Sequence, residues 1–303
     1  MTAKNSEVIA QEHGLVAQDN PRLAELKKTL RLLWKSTTSR IGMVIVVFFL
    51  LTALLAPWLM PYDPFHQDLP NKLAEPRAGH YFGQDNLGRD ILSRVIAGTR
   101  ISLGIALVVL SIGGVLGTVY GLVSGYFGGR IDEIMMRVTD MFLAFPDLIL
   151  AMAFAALLGP NLVNTMIAIS FVRWTTYARL VRGEVLRLRE TEFVESARSL
   201  GANHFRMLFI HILPNALAPV IVRATMDMGG VILTAAGLSF IGFGAQPPTA
   251  EWGVMVADGR NFIMNQWWVS TFPGLAILVV VLGFNLLGDG LRDVLDPRLR
   301  GNI

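Results

Sequence analysis

The chain has 303 residues, of which 53% are hydrophobic and 16% are charged, and its mean hydropathy is +0.51. Because soluble domains average about 25% charged residues, this composition excludes an ordinary soluble domain and indicates a polytopic membrane protein. The absence of cysteine excludes disulfides, thiol catalysis and Cys-ligated metals. The net charge of +3 does not indicate nucleic-acid binding, because Arg and Lys concentrate in segments that the positive-inside rule places in the cytoplasm.

The N-terminal forty residues are predicted to form a cytoplasmic tail. No cleavable signal peptide is evident, because the first apolar run begins only at Ile41 after a long polar stretch. Residues 22–40 place Leu and Trp at helical spacing among Lys and Arg. This pattern predicts a basic amphipathic helix on the inner membrane surface, and an extension of the first membrane helix into the cytosol fits it equally well.

The apolar runs predict six membrane spans. The first covers residues 41–61, and about 20 residues are needed to cross the hydrocarbon core. An outer loop at 62–99 follows, and then a core at 100–290 before a cytoplasmic tail at 291–303. The core contains an inner loop at 190–214 and spans near 101–124, 139–159, 162–178, 215–240 and 267–288.

The third and fourth spans rest on weaker signals. Residues 126–140 are predicted to be a short polar turn, and Pro146 is expected to kink the span that follows. The fourth apolar run is too short on hydropathy alone. The tail 1–40 has seven Lys and Arg residues and the segment 173–214 has seven Arg, so both are predicted to be cytoplasmic, which requires a fourth crossing between them. Arg292, Arg298 and Arg300 then place the C-terminus in the cytoplasm too.

Glycines recur at every fourth position through the second predicted span and just beyond it, at Gly113, Gly117, Gly121, Gly125 and Gly129. Membrane helices pack without a hydrophobic driving force between them, so small residues on one face allow close backbone contact. The series therefore predicts a helix-packing face.

A charged segment near residues 191–215 interrupts the apolar sequence. Residues 192–200 are predicted to form a short amphipathic helix with Phe193, Ala197 and Leu200 on one face. Gly201 follows at the position where a left-handed C-terminal cap favours a residue without a Cβ.

A second short helix is predicted at residues 205–213. Asn203 is positioned to cap its N-terminus, and Pro214 is expected to interrupt it. Two short helices joined by a glycine on one side of a membrane protein indicate a docking site for another protein.

The same segment resembles the EAA loop of ABC-importer permeases, a pattern of the type E-A-A-x3-G-x9-I-x-L-P. The residues that occupy its positions are Glu195, Ser196, Ala197, Gly201, Leu213 and Pro214. The chain departs from the pattern at Ser196 and at His211, where the family has Ala and Ile. The resemblance implies that these residues couple the chain to an ATPase subunit, with Glu195 anchoring the docked helix.

Four further segments resemble the dipeptide/oligopeptide (and nickel) branch of these permeases, most closely the C-type inner-membrane subunit of dipeptide importers. They are FGQDNLGRDILSRVIAGTRISL, GYFGGRIDEIMMRVTDMFLAFP, GAQPPTAEWGVM and LGDGLRDVLDPRLRG. The resemblance implies an all-α membrane protein with the six-helix transmembrane domain of a type I ABC importer and both termini cytoplasmic. It also implies a location in the bacterial inner membrane.

The resemblance implies several partners: a second homologous permease, two ATPase subunits and an extracytoplasmic peptide-binding protein. The sequence contains no G-x4-G-K-[ST] motif, so ATP and Mg²⁺ are expected on the partner ATPases. The scattered histidines lack metal-ligand spacing. We therefore predict a non-enzymatic chain that is surrounded by membrane lipid and binds no cofactor, metal or nucleic acid.

Charged residues within the predicted spans suggest a substrate pathway. Arg223 and Asp227 lie four apart on one helical face, and they either line the pathway or form a self-neutralised pair buried against a neighbouring helix. Arg173 lies at the predicted inner end of the fourth span, where it is expected to extend to the lipid headgroups.

The predicted function is that of a permease subunit for dipeptides or short peptides in an ATP-driven importer. Nickel, glutathione and longer peptides are competing substrates within the same branch. An ATP-independent secondary transporter or channel is the alternative from another class, but the sequence has no visible inverted repeat, which counts against that class.

Overall fold

The structure, a computed structural model, describes residues 31–295. Part of the predicted amphipathic helix, at 22–30, and the tail at 296–303 lie outside the described residues. The part described is helical, with isolated β-bridges and no β-strand. The helices are α1 Thr37–Leu59, α2 Ile91–Phe127, α3 Gly129–Leu143, α4 Asp147–Leu158, α5 Leu162–Leu188, α6 Glu192–Ser199, α7 Leu213–Ile241, α8 Trp252–Gly259 and α9 Trp268–Leu295.

Within residues 31–295, four helical segments are long and apolar enough to cross a membrane. They are Thr37–Leu59, Ile91–Phe127, His204–Ile241 and Trp268–Val294. Helices α3 and α4 together make a possible fifth span, although they are bent by 88°. Helix α5 is long but is not among these segments, because several Arg residues lower its hydropathy.

The predicted outer loop at 62–99 ends earlier than its predicted boundary. Helix α2 begins at Ile91, where the carboxylate of Asp90 accepts a hydrogen bond of 2.7 Å from the backbone N–H of Ser93. This cap satisfies an N–H group that has no partner inside the helix. The first turns of α2 therefore lie within the segment that was predicted to be a loop.

The polar turn predicted before the third span is wrong, whereas the kink predicted at Pro146 is present as a sharper break between two helices. Residues predicted as a polar turn form α3, and the chain turns instead at Gly128 and Gly129, whose φ angles of 65° and 55° favour glycine. Pro146 does not kink a continuous helix: it directly precedes the first residue of α4. A proline near a helix start interrupts no internal hydrogen bond, so Pro146 is tolerated there, and α3 and α4 are bent by 88° across the break that it ends.

The predicted interruption at Pro214 is also wrong. Helical backbone runs from His204 through a π-helical turn, Met207–Ile212, into α7 without a break. Pro214 occupies the first turn of α7, a position at which its missing N–H is tolerated.

The glycine series of α2 packs against α5. A Cβ added to Gly117 or Gly121 would overlap the backbone carbonyl oxygen of Trp174 or Ala178 respectively. Gly113 and Gly125 also contact α5, whereas an added Cβ at Gly129 would meet no atom within 4 Å. The packing face therefore ends at Gly125.

A central core joins the long helices. Ile91 and Val109 of α2, Ile169 of α5, Val231 of α7 and Val280 of α9 are all buried in it. The outward faces of these helices remain apolar, as expected for contact with lipid or with other membrane proteins.

Candidate functional site

The turn after α6 has the geometry predicted for a glycine cap. Gly201 has a φ of 80°, and its backbone N–H donates to the carbonyl of Arg198 at 3.0 Å. The N–H of Ala202 donates to the carbonyl of Ala197 at 3.2 Å, which completes the closing pattern. An added Cβ at Gly201 would meet no atom within 4 Å, so backbone conformation rather than space favours glycine here.

The buried face of α6 differs from the predicted one. Val194 is fully buried, whereas Phe193 is 44% exposed and Leu200 is 89% exposed. The helix is short and rests on the protein along a narrow line, so helical spacing in the sequence does not identify the buried face. Ala197 packs against the buried cluster, as predicted, and Glu195 is exposed.

Because α6 packs through Val194, its other side forms an open concave surface, which we call the α6 surface. It is lined by Glu192, Glu195, Ser196, Ser199 and Leu200. Two carboxylates, two hydroxyls and one large apolar side chain can offer a partner both hydrogen-bond acceptors and an apolar contact.

The second helix of the segment begins at its predicted cap. The side chain of Asn203 accepts a hydrogen bond of 2.8 Å from the backbone N–H of Arg206. Leu213 is partly buried and Pro214 is exposed. Ile212 is fully buried, so the apolar contact comes from this residue rather than from its neighbour His211.

The α6 surface is built on a buried apolar cluster that extends into the long helices. Val194 packs in this cluster with Ile212, with Leu122 of α2 and with Val185 of α5. One buried cluster therefore connects α6 to both α2 and α5.

The two charged residues of α7 form an ion pair. Nη2 of Arg223 lies 3.1 Å from Oδ1 of Asp227. The Asp227 side chain is 8% exposed and the Arg223 side chain is 42% exposed, so one member of the pair is buried and the other reaches the surface.

The position predicted for Arg173 is wrong. Its side chain is 13% exposed and points into the helical bundle, where Nη1 lies 3.5 Å from Oδ2 of Asp147. Its Nη2 also donates to the hydroxyl of Thr234 at 3.3 Å. Because α5 continues well past the expected boundary, to Leu188, Arg173 lies near the middle of the helix rather than at a headgroup.

Two more Asp–Arg pairs connect α3 to α5. Asp132 pairs with Arg182 at 2.6 Å, and Asp140 pairs with Arg179 at 2.5 Å. With the pair at Arg173 they form a series along the seam between α3–α4 and α5. Sequence analysis missed this series, although acidic residues spaced through one segment and basic residues through the next are a signal for antiparallel pairing.

A buried ionic network surrounds the start of α2. Nε of Arg89 lies 2.6 Å from Oδ2 of Asp85, which also lies 3.5 Å from Nε of Arg94. Nη2 of Arg89 lies 3.8 Å from Asp258 of α8. The network therefore ties the segment before α2 to α8.

Burial shifts the pKa of two carboxyl groups at α8. It raises the pKa of Asp258, while the positive charges of Arg89 and Arg94 oppose that rise. Burial also raises the pKa of Glu251, whose carboxylate accepts a hydrogen bond of 3.0 Å from the backbone N–H of Val254 at the start of α8.

In the described part of the chain, no group of three or more His, Asp or Glu residues could hold a metal ion. The charged side chains above pair with each other instead.

Two family models match the chain. The model described as "Binding-protein-dependent transport system inner membrane component" matches residues 117–301. The model described as "N-terminal TM domain of oligopeptide transport permease C" matches residues 26–76.

Curated proteins are similar over most of the chain. The probable D,D-dipeptide transport system permease protein DdpC of Escherichia coli (strain K12) is 50% identical, over 85% of this chain and 87% of that protein. The dipeptide transport system permease protein DppC of Alkalihalophilus pseudofirmus is 44% identical, over 90% of each. The nickel transport system permease protein NikC of Escherichia coli is 45% identical, over 86% of this chain and 94% of that protein.

A solved structure shares the fold. The MetNI methionine ABC transporter in an inward-facing conformation contains a chain that matches with a TM-score of 0.55 and 16% identity, over 68% of this chain and 98% of that one. At this identity the similarity supports the fold alone.

Proposed function

Because the chain belongs to the family of inner-membrane components of binding-protein-dependent transport systems, we propose that it forms half of the pathway by which an ABC importer carries dipeptides or short peptides. It is a multi-pass protein of the bacterial inner membrane. The α6 surface is the observation that carries the coupling role, since it is exposed and yet rests on a cluster shared with α2 and α5.

The coupling proposal assigns roles to the residues of the inner loop. Glu195 makes charge-assisted hydrogen bonds to an ATPase subunit, and Ser196 is exposed beside it. Gly201 sets the turn, while Ala197 and Leu213 hold the segment against the buried cluster. ATP and Mg²⁺ bind to the partner ATPases, and this chain supplies no catalytic group.

The proposed topology has six crossings with both termini in the cytoplasm. The four apolar segments supply four crossings. The bent pair α3–α4 and the more polar α5 supply the other two, and both are shielded from lipid in part by other helices. The α6 surface then lies in the cytoplasm, and the ionic network around Arg94 lies outside.

The proposed assembly contains a second, different permease of the same family, two ATPases and an extracytoplasmic peptide-binding protein. The binding protein delivers peptide to the outer loops around residues 62–99 and 242–266. Exposed polar groups on α5 and α7 support the presence of another permease, because a charge facing lipid is costly.

Arg223 and Asp227 are proposed to line the pathway on the α7 side. The half-exposed guanidinium supports this role, while the buried carboxylate also fits a pair that only neutralises itself. Uptake by an Asp227→Asn variant decides between the two, since normal transport by a normally assembled importer rejects the pathway role.

Nickel is the second candidate substrate, because a nickel permease is 45% identical to the chain. Glutathione and longer peptides remain alternatives within the same branch. The test is uptake of a labelled dipeptide and of ⁶³Ni²⁺ by cells that express the chain with its partner subunits. We expect saturable dipeptide uptake that stops when the ATPases are inactivated.

Uptake of nickel without uptake of peptide would reject the peptide proposal. Peptide uptake that persists without ATP hydrolysis would instead indicate a secondary transporter or channel. Co-purification of two ATPase chains with this subunit provides an independent check on the importer class.

A further inference from the structure

The Arg173–Asp147 pair lies near the middle of the membrane. In the proposed topology the connection at 159–161 is at the outer surface. Along its axis α4 rises about 16.5 Å between Leu158 and Asp147, and α5 rises about 16.5 Å between Leu162 and Arg173, at 1.5 Å per residue. The hydrocarbon core is about 30 Å thick, so two independent helices place the pair near its centre.

The carboxylate of Asp147 is open although it faces the bundle. Asp147 is on the same side of α4 as the buried residues Ala151 and Ala155, and its side chain is nevertheless 45% exposed. An open carboxylate at this depth cannot face lipid at low cost. Its exposed side must therefore face water, a solute or a polar surface of another subunit.

The pair is held more loosely than the other two in its series. The 3.5 Å separation exceeds the length of about 2.8 Å that is typical of a charge-assisted hydrogen bond. Asp132 and Arg182, by contrast, form two hydrogen bonds of 2.9 and 2.6 Å. The Arg173–Asp147 pair can therefore open to admit charged groups with less loss of bonding than its neighbours.

Small residues of α7 face the pair. Gly230, Thr234 and Gly237 lie on one face of α7 toward α4 and α5. A Cβ added to Gly230 would lie 3.7 Å from Nη2 of Arg173, and a Cβ added to Gly237 would lie 4.0 Å from Leu148. The hydroxyl of Thr234 provides a polar group between the two glycines.

We propose that Asp147 and Arg173 form a binding site for the two charged ends of a short peptide, between α4, α5 and the small-residue face of α7. Asp147 accepts hydrogen bonds from the α-ammonium group, and Arg173 donates to the α-carboxylate. Two extended residues span about 7 Å, so the peptide separates the pair and takes over both of its charges. The inference rests on the proposed peptide-import function and adds the groups that recognise the substrate.

The first test measures dipeptide uptake by the complete importer carrying Asp147→Asn. Glu133→Gln is the matched control, because it removes one carboxylate from an exposed Glu–Arg pair within α3, to which no role in transport or assembly is assigned. We expect the Asp147 variant to reduce kcat/KM for uptake at least tenfold and the control to reduce it less than twofold. Co-purification with the ATPases measures assembly of each variant.

The second test exchanges the charges by combining Asp147→Arg with Arg173→Asp. This double variant retains an ion pair but reverses the positions offered to the two ends of the peptide. We expect it to assemble while uptake stays at least tenfold below that of the unmodified importer. If the pair served only to stabilise the bundle, the exchange would restore uptake.

Three results overturn the proposal: normal uptake by Asp147→Asn, uptake restored by the charge exchange, or failure of both variants to assemble. The last result would assign the pair a structural role. Absence of peptide uptake by the unmodified importer would reject the proposed function itself. The two failures can be told apart, because the proposed function is tested with the unmodified importer and the binding site with the variants.

Discussion

At the scale of single residues, Gly201 shows how one backbone conformation positions an exposed surface. Its φ of 80° turns the chain between α6 and the helix that begins at His204, although no neighbouring atom crowds it. This conformation is unfavourable by roughly 1–2 kcal/mol for a residue with a Cβ, and by more for a β-branched residue. The direction in which α6 presents Glu195 therefore depends on the backbone conformation of Gly201 and not on a side-chain contact.

Gly201→Val is expected to leave the protein in the membrane but abolish peptide uptake, because valine strains the left-handed turn and displaces α6. Asn tolerates this conformation, so Gly201→Asn is the matched control and is expected to retain most of the uptake. The measurements are membrane content by immunoblot and uptake of a labelled dipeptide. Wild-type uptake by the Val variant would refute the role of the turn.

At the scale of elements, the contact between α2 and α5 links the inner loop to the membrane-spanning helices. Gly117 and Gly121 bring the two backbones together, and Leu122 and Val185 continue the contact into the cluster beneath α6. Close packing of this kind limits independent motion of the two helices. A displacement at α6 therefore moves α2 and α5 together.

Gly117→Leu is expected to separate α2 from α5, because its Cβ would overlap the carbonyl oxygen of Trp174. We expect a loss of about 3 kcal/mol in the free energy of unfolding, at the upper end for overpacked cores. Gly104→Leu on the same helix is the control, since an added Cβ there meets no atom within 4 Å. Thermal unfolding of the purified importer compares the two, and equal stability would contradict the packing interpretation.

At the scale of the whole molecule, the described part of the chain has an ionic network at one end and the α6 surface at the other. The network joins Asp85, Arg89 and Arg94 to α8, and the α6 surface rests on the cluster around Val194. The sequence contains no phosphate-binding loop of the Walker type, and in the proposed function the energy for transport enters through a contact with an ATPase subunit. The proposal requires that contact on the cytoplasmic side.

Cysteine labelling tests this orientation cleanly, because the chain has no cysteine of its own. Leu200→Cys and Met264→Cys are a matched pair, with native side chains that are 89% and 90% exposed. In intact spheroplasts a membrane-impermeant maleimide is expected to label the variant at 264 alone. Labelling at position 200 is expected only after the membrane is permeabilised.

The reverse pattern would place the α6 surface outside the cell and contradict the coupling proposal. Labelling of both variants in intact spheroplasts would indicate a leaky preparation, which a cytoplasmic marker protein detects.

Several features could be predicted from the sequence because they depend only on residues that are close together in the chain. The left-handed cap at Gly201 and the cap at Asn203 are present because each depends on residues within a few positions. The close packing of Gly117 against another helix was predicted because glycines recur at every fourth position on this face. The family was also recognisable from the sequence, since its motifs are contiguous segments.

Tertiary structure alone decided the features that depend on distant neighbours. Pro146 ends a sharp break between α3 and α4, whereas Pro214 lies within continuous helix, although both are prolines beside apolar runs. The exposed side of α6 was mispredicted because a two-turn helix has a narrow contact with the protein. Arg173 could not be assigned a partner, because Asp147 and Thr234 approach it only when three separate helices meet. Periodicity and capping are local properties of the chain, whereas the pairing of buried charges is set by how the helices pack.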